Sequence, residues 1–261
     1  MDKIEPKDAY PDIFTPAESQ YLMALQSGSL TFGPRKPIVQ AYRPTHQSLY
    51  LSEGFVARYR KDRFGRRQFL SQQIPGDMID LPGYYLGRLD HDIESINSVT
   101  VLPTEHHKIA DLRDSHPDLY DKLWRVAMMD AAIIRYGMFR LGRLMGRAKV
   151  ANFLSEMMVR LFARGLCGPD GFDMPLSQVD LSEACGITSV HANRMLGELR
   201  EENVCTWVSG RVHVPNFAAL LKAGHFEWDY LYLPEDIDAA LREMTGAAPP
   251  PGRNRRGCAA G

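Results

Sequence analysis

Residues 175–215 read PLSQVDLSEACGITSVHANRMLGELREENVCTWVSGRVHVP, and this stretch carries the strongest structural signal in the chain. Ser177 has the chemistry of a helix N-cap, and Asp180 stands three residues later, where its carboxylate can reach back to the cap. The helix that begins here is expected to end at Gly186, because glycine commonly terminates helices. The segment therefore predicts one short helix followed by a tight turn.

A second helix is predicted directly after this turn, capped by Thr188 or Ser189. Its apolar residues recur at helical spacing and leave a short polar face. They are Val190, Met195, Leu196 and Leu199. Two β-rich runs then flank Ser209-Gly210, a two-residue loop that suits a tight hairpin. Together these features predict a winged helix-turn-helix, whose second helix enters the major groove of DNA. A hairpin used only for packing or for binding a protein is the alternative, since the segment carries few Lys or Arg.

The composition bounds the protein class. With 261 residues and 44% hydrophobic content, the chain can bury more than one core. The four cysteines are scattered without a CxxC pair, which argues against a disulfide framework, a zinc ribbon or iron–sulfur ligation near the N-terminus. The sequence shows neither a membrane-spanning run nor a signal peptide, so we expect a cytoplasmic protein with no membrane partner.

Charge gives a mixed indication. The formal net charge is -1, and this counts weakly against a nucleic-acid partner, because phosphate neutralisation needs a basic surface. However, residues 135–149 contain several cations and no acidic residue. A local basic region is therefore predicted there, in spite of the neutral total.

The first half of the chain has the sequence pattern of a β-roll. Thr15 and Glu18 form a predicted capping box with Pro16 between them, so a short helix should run to about Leu25. From residue 29 onward, short β-branched or alternating segments are separated by Gly, Pro, Asp and Asn. This pattern predicts an antiparallel β-roll or jelly roll.

A long helix is predicted to open at residues 115–118. Apolar residues along it are spaced alternately by four and three, which is a heptad seam that favours a second copy of the same helix. The seam comprises Tyr120, Trp124, Ala127, Ala131, Ile134, Met138, Leu141 and Met145. We assign Trp124, Ala127, Ala131, Ile134, Met138 and Leu141 to a homodimer interface. Arg135, Arg140 and Arg143 are expected on the remaining, exposed face; one buried helix in a monomer is the alternative.

The predicted fold class is α+β. The domains are a β-roll sensor domain (1–112), a dimerisation helix (113–148), a winged helix-turn-helix domain (149–225) and a C-terminal extension (226–261). Short helices are expected after residue 215, with the last one starting at Pro234-Glu235. The tail from residue 246 is rich in Pro and Arg and is expected to be disordered.

This order of elements resembles the Crp/Fnr family of bacterial transcription regulators, over about residues 29–226. The most specific matches are LSQVDLSEACGITSVHANRMLGELRE and the turn Pro75-Gly76-Asp77. The resemblance implies a homodimer bound to palindromic double-stranded DNA and acting with RNA polymerase. It further implies phosphate contacts from Ser177 and Gln178. The residues expected at the bases or backbone are Thr188, Ser189, Val190, His191, Asn193 and Arg194.

The effector pocket departs from the pattern of the family's cyclic-nucleotide binders. Where those proteins carry Gly-Glu for the ribose, this chain has Asp80-Leu81, and Asp90, Asp92 and Glu94 stand where an anionic phosphate would be repelled. Arg88 is expected to be the nearest cation. We assign Asp80, Arg88 and His91 to the pocket and expect no control by cyclic AMP. No cofactor is predicted, and the effector is not indicated.

The histidines of the sequence suggest two alternative functions. A jelly roll with His91, His106 and His107 could belong to a cupin-type metal enzyme, but the His-x-His spacing of such sites is missing and adjacent histidines diverge. A haem- or small-molecule-sensing regulator of the same fold, with His91 or another histidine as axial ligand, rests on a lone histidine. The sequence therefore favours a regulator without enzyme activity and without a metal site.

Overall fold

The computed structural model describes residues 4–248. It begins with two short helices, α1 (Pro6–Ala9) and α2 (Pro16–Ala24). The predicted capping box is present: Thr15 Oγ1 accepts from Glu18 N at 3.3 Å, and the Glu18 carboxylate accepts from Thr15 N at 2.8 Å. The helix therefore begins where its sequence predicts.

Two four-stranded antiparallel sheets follow and form the predicted β-roll. The strands are β1 (Leu30–Phe32), β2 (Pro37–Val39), β3 (Gln47–Glu53), β4 (Val56–Lys61), β5 (Arg67–Gln73), β6 (Met78–Ile79), β7 (Asp92–Ser95) and β8 (Val99–Glu105). One sheet has the order β1-β8-β3-β6 and the other β2-β7-β4-β5. Their inward-facing aliphatic side chains, such as Leu51, Ile93 and Val101, are fully buried between them.

A short helix, α3 (Gly83–Leu86), lies between β6 and β7. After β8, the chain continues toward the C-terminal half through α4 (His106–Ser115), α5 (Pro117–Arg143) and α6 (Gly146–Ala163). Residue 113, the predicted start of the dimerisation segment, lies inside α4. The long helix also ends earlier than its seam suggested, because Leu144 and Met145 are extended and Gly146 has φ +53, a conformation that suits glycine. Met145 is therefore outside α5.

The expected exposure of Arg140 is wrong. Arg140 is buried, donates to Glu156 of α6 at 3.0 Å and lies over the Phe153 ring at 5.1 Å. A buried guanidinium is tolerated here because a carboxylate from the neighbouring helix compensates its charge. Of the predicted basic face, Arg135 and Arg143 do remain exposed.

The winged domain contains β9 (Gly171–Asp173), α7 (Gln178–Cys185), α8 (Ser189–Glu201), β10 (Thr206–Val208), β11 (Arg211–His213) and α9 (Phe217–Ala223). Its sheet has three strands, in the order β10-β11-β9. The sequence predicted the hairpin of β10 and β11 but not β9, which is only three residues long and follows a Gly-Pro-Asp-Gly turn. The two helices and the wing pack on α6 in the largest hydrophobic core.

The C-terminal extension is folded as far as it is described. A 3-10 helix (Asp229–Leu231) and α10 (Glu235–Thr245) follow α9, as the sequence predicts. Tyr230 stacks on Tyr136 of α5 at 3.9 Å and donates to Glu156 at 2.8 Å. The extension therefore joins α5 and α6 to the winged domain. Of the tail predicted to be disordered, Gly246 caps α10 and Ala247 packs on the core, while residues 249–261 lie outside the described range.

Candidate DNA-binding surface and effector pocket

The first helix of the motif is closed at both ends by local chemistry. Ser177 Oγ accepts from Asp180 N at 3.2 Å, and Asp180 Oδ2 accepts from Ser177 N at 2.8 Å, which is a complete capping box. Gly186 ends α7 with φ +59. Ser177 and Gln178 are both exposed at the N-terminus of α7, where backbone amides and the helix dipole favour a phosphate.

The second helix presents a polar, exposed face. Thr188 is its cap, because Thr188 Oγ1 accepts from His191 N at 3.2 Å. Asn193 and Arg194 are exposed, and Val190 is 82% exposed. The opposite face, with Ala192, Met195 and Leu199, is buried in the core. α8 therefore offers one continuous free face beside the turn, as a recognition helix requires.

Two predicted readers are already engaged in the free protein. Ser189 is half-buried, and its hydroxyl lies 3.1 Å from that of Ser182 on α7. His191 Nδ1 lies 3.1 Å from Arg194 Nη2. Ser189 thus helps to fix the angle between the two helices, whereas His191 holds the Arg194 side chain against the helix.

The wing is a tight hairpin. Ser209 and Gly210 both have positive φ, +52 and +79, as in the turn type that matches the twist of a two-residue hairpin. Arg211 at the base of the wing donates to Asp173 at 3.1 Å and lies 3.8 Å from Asp170. The wing is thereby fixed to β9.

Asp180 also connects the motif to the β-roll, which the sequence did not reveal. Its carboxylate is fully buried and accepts from Arg35 at 2.9 and 2.5 Å, from Arg67 at 2.9 Å and from Tyr59 at 3.2 Å. Burial alone would raise the pKa of Asp180, but hydrogen bonds from Arg35 and Ser177 hold it at about 2. No local pattern could have paired these residues, because Arg35 and Asp180 are 145 positions apart.

Among the residues assigned to the effector pocket, Asp80 is a buried acid. Its side chain is 1% exposed, its φ is +67, and neither carboxylate oxygen has a hydrogen-bond partner within residues 4–248. Burial raises the pKa of Asp80 to about 7; the nearby Arg58 opposes this shift and the Asp130 carboxylate adds to it. A buried acid in this state is a candidate ligand-binding or proton-binding group.

The other two residues assigned to the pocket, His91 and Arg88, differ in their surroundings. His91 Nδ1 contacts Asp90 at 3.0 Å, its Nε2 is buried without a partner in the described range, and burial lowers the pKa of His91. Arg88 is exposed at the surface. The buried cation is Arg58, which donates to the Asp130 carboxylate of α5 at 2.9 and 2.7 Å. Sequence reasoning missed both Arg58 and Asp130, since neither belongs to a local motif.

The acids that were expected to repel a phosphate are each paired. Asp90 contacts Arg60 at 2.8 Å, and Asp92 contacts Lys61 at the same distance. Glu94 lies 3.5 Å from Arg67. The interpretation of Arg88 as the nearest cation is therefore wrong, because β4 and β5 supply closer ones.

The predicted dimer seam is partly covered within the chain. Ala127 is buried in the core beneath α2 and α4, and Trp124 packs on Tyr85 at 4.6 Å, so both serve the chain's own fold. Ala131, Ile134 and Leu141 are half-buried, whereas Met138 is 69% exposed. The free part of the seam is thus its C-terminal half.

The histidines of the metal-enzyme alternative are engaged separately. His106 lies 3.4 Å from Ser48 Oγ and packs edge-on to Tyr84, while His91 contacts Asp90. Within the described residues, no group of three or more His, Cys, Asp or Glu could hold a metal ion. Among the helices of the same range, none combines the length and apolar composition needed to cross a bilayer.

Comparison with known proteins supports the geometry. Residues 148–223 match the Crp-like helix-turn-helix domain. The transcriptional activator protein FnrL of Cereibacter sphaeroides is 25% identical over 163 residues, covering 60% of this chain and 64% of FnrL. The nitrogen fixation regulation protein FixK of Bradyrhizobium diazoefficiens is 26% identical over 161 residues, covering 61% and 66%. Both alignments span slightly less than two thirds of those relatives.

The fold is similar to that of a solved structure over most of the chain. FixK2 from Bradyrhizobium japonicum superposes with a TM-score of 0.68 at 21% identity, and the match covers 75% of this chain and 96% of that one. This likeness covers a larger share of the chain than residues 148–223, the segment matched by the domain family. Residues 148–223 thus match a Crp-like helix-turn-helix domain, and the chain is similar in sequence to the regulators FnrL and FixK and in fold to FixK2.

Proposed function

We propose that this protein is a sequence-specific, DNA-binding transcription regulator without enzyme activity, working in the bacterial cytoplasm. The observation that carries the proposal is the exposed polar face of α8, with Asn193 and Arg194 beside a fully capped helix-turn-helix. An exposed face of this kind on a short second helix fits the major groove. The names of FnrL and FixK, an activator and a regulator, support the same activity.

The active form is proposed to be a homodimer on a palindromic operator. Met138 and the half-buried Ile134 leave apolar surface on the C-terminal half of α5, which a second copy of the helix would cover. Two-fold symmetry would place the two α8 helices about 34 Å apart, one helical turn of DNA. The bound dimer would act on transcription by contacting RNA polymerase.

Control by an effector would operate through the pocket around Asp80 and His91. The pocket adjoins α5 through the ion pair of Arg58 with Asp130, so a ligand there would act on the proposed dimer helix. Cyclic AMP is not the proposed ligand: Arg58 is already committed to Asp130, and the buried Asp80 offers no donor to a phosphate while it is ionised. Millimolar cyclic AMP should therefore leave both the melting temperature and the DNA affinity unchanged, whereas a ligand at a hundred times its Kd would stabilise the fold by about 2.7 kcal/mol.

Selection from a randomised duplex library tests the function directly. The full-length protein should enrich an inverted repeat whose half-site centres lie roughly 10 base pairs apart. Sedimentation of the selected complex should give two chains per duplex. Failure to enrich any sequence would defeat the proposal, and enrichment of a single half-site by one chain would defeat the dimeric form of it.

A further inference from the structure

The hairpin between β4 and β5 carries an unusual concentration of positive charge. Residues 60–67 read RKDRFGRR, with five cations and one acid in a chain whose net charge is -1. Its turn is well ordered by Asp62, whose Oδ1 accepts from Phe64 N at 2.8 Å and from Arg66 N at 3.0 Å. Gly65 supplies a positive φ of +77. The charges are therefore held on a defined turn.

The tip of this hairpin, residues 63–66, projects into solvent. The Arg66 side chain is 77% exposed, and Phe64 is 67% exposed. The guanidinium of Arg63 lies 4.7 Å from the centre of the Phe64 ring and that of Arg66 lies 5.4 Å from it. Phe64 thus orients two guanidinium groups by cation–π contact. Arg66 Nε also donates to the Asp62 carboxylate at 2.7 Å, and both arginines remain at the surface.

The base of the hairpin is attached to the DNA-binding motif itself. Arg67 donates to Glu183 at 3.0 Å and to Asp180 at 2.9 Å, and Gln68 Nε2 donates to the Glu183 carbonyl at 2.8 Å. Three residues separate Arg67 from Phe64, so the tip begins about 10 Å from these contacts. It therefore lies beside α7, whose N-terminal Ser177 and Gln178 are the proposed phosphate contacts.

We propose that the hairpin tip is a second DNA-contact surface, at which Arg63 and Arg66 bind backbone phosphates flanking the operator. The proposal rests on the proposed function and extends the interface from the winged domain to the β-roll. The exposed face of α8 carries few cations, so the sequence-independent part of the affinity needs another source. Guanidinium groups suit phosphate oxygens, which accept paired N–H donors.

The test compares two duplexes that contain the selected operator. One ends at the outer edge of the inverted repeat, and the other continues for ten base pairs on each side. The variant Arg63→Ala/Arg66→Ala is measured against Arg113→Ala/Arg125→Ala, which removes the same charge from exposed positions on α4 and α5. Affinity is recorded at several salt concentrations.

The wild-type protein and the control should bind the long duplex at least tenfold more tightly than the short one. The hairpin variant should lose this advantage while binding the short duplex as the wild-type protein does. Its salt slope on the long duplex should fall by roughly 0.9 for each phosphate contact removed. Arg63→Lys/Arg66→Lys should retain most of the slope, because the charge is kept.

The experiment has different outcomes for the second contact surface and for the proposed function on which it rests. Equal affinity of the hairpin variant and the wild-type protein for the long duplex would overturn the second contact surface and would assign the tip to an acidic protein partner instead. The operator binding seen with the short duplex would then still stand. Failure of the wild-type protein to bind either duplex would overturn both proposals.

Discussion

Arg35 in the β-roll and Asp180 in α7 are joined by two hydrogen bonds, Nη1 to Oδ1 at 2.9 Å and Nη2 to Oδ2 at 2.5 Å. The same carboxylate caps α7 by accepting from the Ser177 amide. One buried side chain therefore fixes the start of the motif's first helix and attaches that helix to the β-roll. A movement of α7 away from the roll would have to break both guanidinium contacts.

Asp180 should make the free energy of unfolding depend on pH. Its pKa is lowered from 3.8 to about 2 in the folded protein, so the stabilisation is complete above pH 4–5 and is lost as the pH falls toward about 2. A shift of this size corresponds to about 2 kcal/mol. Asp180→Asn should therefore lower the free energy of unfolding at pH 7 by at least that amount and by less at pH 3.

Urea unfolding at the two pH values measures this difference. Asp121→Asn serves as the control, because Asp121 is exposed on α5. A loss of equal size at pH 7 and pH 3 would show that the carboxylate charge of Asp180 is not what stabilises the fold.

Met138 should be the sharpest probe of dimerisation. It is 69% exposed in the single chain, so Met138→Glu should leave the fold intact while burying an unpaired charge at a two-fold interface. The expected cost is several kcal/mol, enough to dissociate the dimer at micromolar concentration. Sedimentation velocity measures the outcome.

Arg125→Glu is the matched control on the same helix. Arg125 is exposed and lies roughly 140° around α5 from Met138, so it should not touch the seam. A Met138→Glu protein that stays dimeric, or a wild-type protein that is monomeric, would show that the free half of the seam is not the interface.

Local chemistry explains how much of the fold was predictable. The cap at Ser177, the stop at Gly186 and the turn at Ser209-Gly210 all depend on residues within four positions of one another, and each was predicted correctly. The second cap was predicted at Thr188 or Ser189, and it is Thr188. The long helix was predicted from its periodicity, which is also a local signal. Its end was misplaced because the seam continues to Met145 although the backbone breaks before it.

The features that were missed depend on distant partners. Arg140 was predicted to be exposed, but it is buried because Glu156 of the next helix compensates its charge. Ala127 was predicted to lie at an interface, but α2 and α4 cover it within the chain. The pocket partners Arg58 and Asp130 are 72 positions apart. Pairings of this kind follow from tertiary packing, which propensity and spacing do not encode.

Asp80 should give stability the opposite pH dependence to Asp180. Its pKa is raised from 3.8 to about 7, so the folded state keeps a proton that the unfolded state has already released. Stability should consequently fall as the pH rises from about 4 to about 7, by up to about 4 kcal/mol. Asp80→Asn cannot ionise, so it should be more stable than the wild-type protein at pH 8.

Melting temperatures at pH 5 and pH 8 check this expectation. The wild-type protein should lose more stability between the two than Asp80→Asn does, while Asp114→Asn, altered at an exposed position of α4, should follow the wild type. If Asp80→Asn and the wild-type protein changed in parallel, the carboxyl of Asp80 would not titrate in this range.

Arg194 exposes the function of α8 most directly. Its side chain is 67% exposed and rests between Glu198 at 3.8 Å and His191 at 3.1 Å, contacts it can exchange for DNA without unfolding anything. If Arg194 reads a guanine through two hydrogen bonds, Arg194→Ala should lose roughly 1–3 kcal/mol per half-site and relax the preference at one operator position. If it only holds a phosphate, affinity should fall evenly across sequences and the salt slope should shrink by about one unit per contact. Arg200→Ala, exposed near the other end of the same helix, should change neither the base preference nor the salt slope.

Binding to the selected operator and to its single-base variants at two salt concentrations distinguishes the two roles of Arg194. Unchanged binding by a folded, dimeric Arg194→Ala protein would remove α8 from the DNA interface.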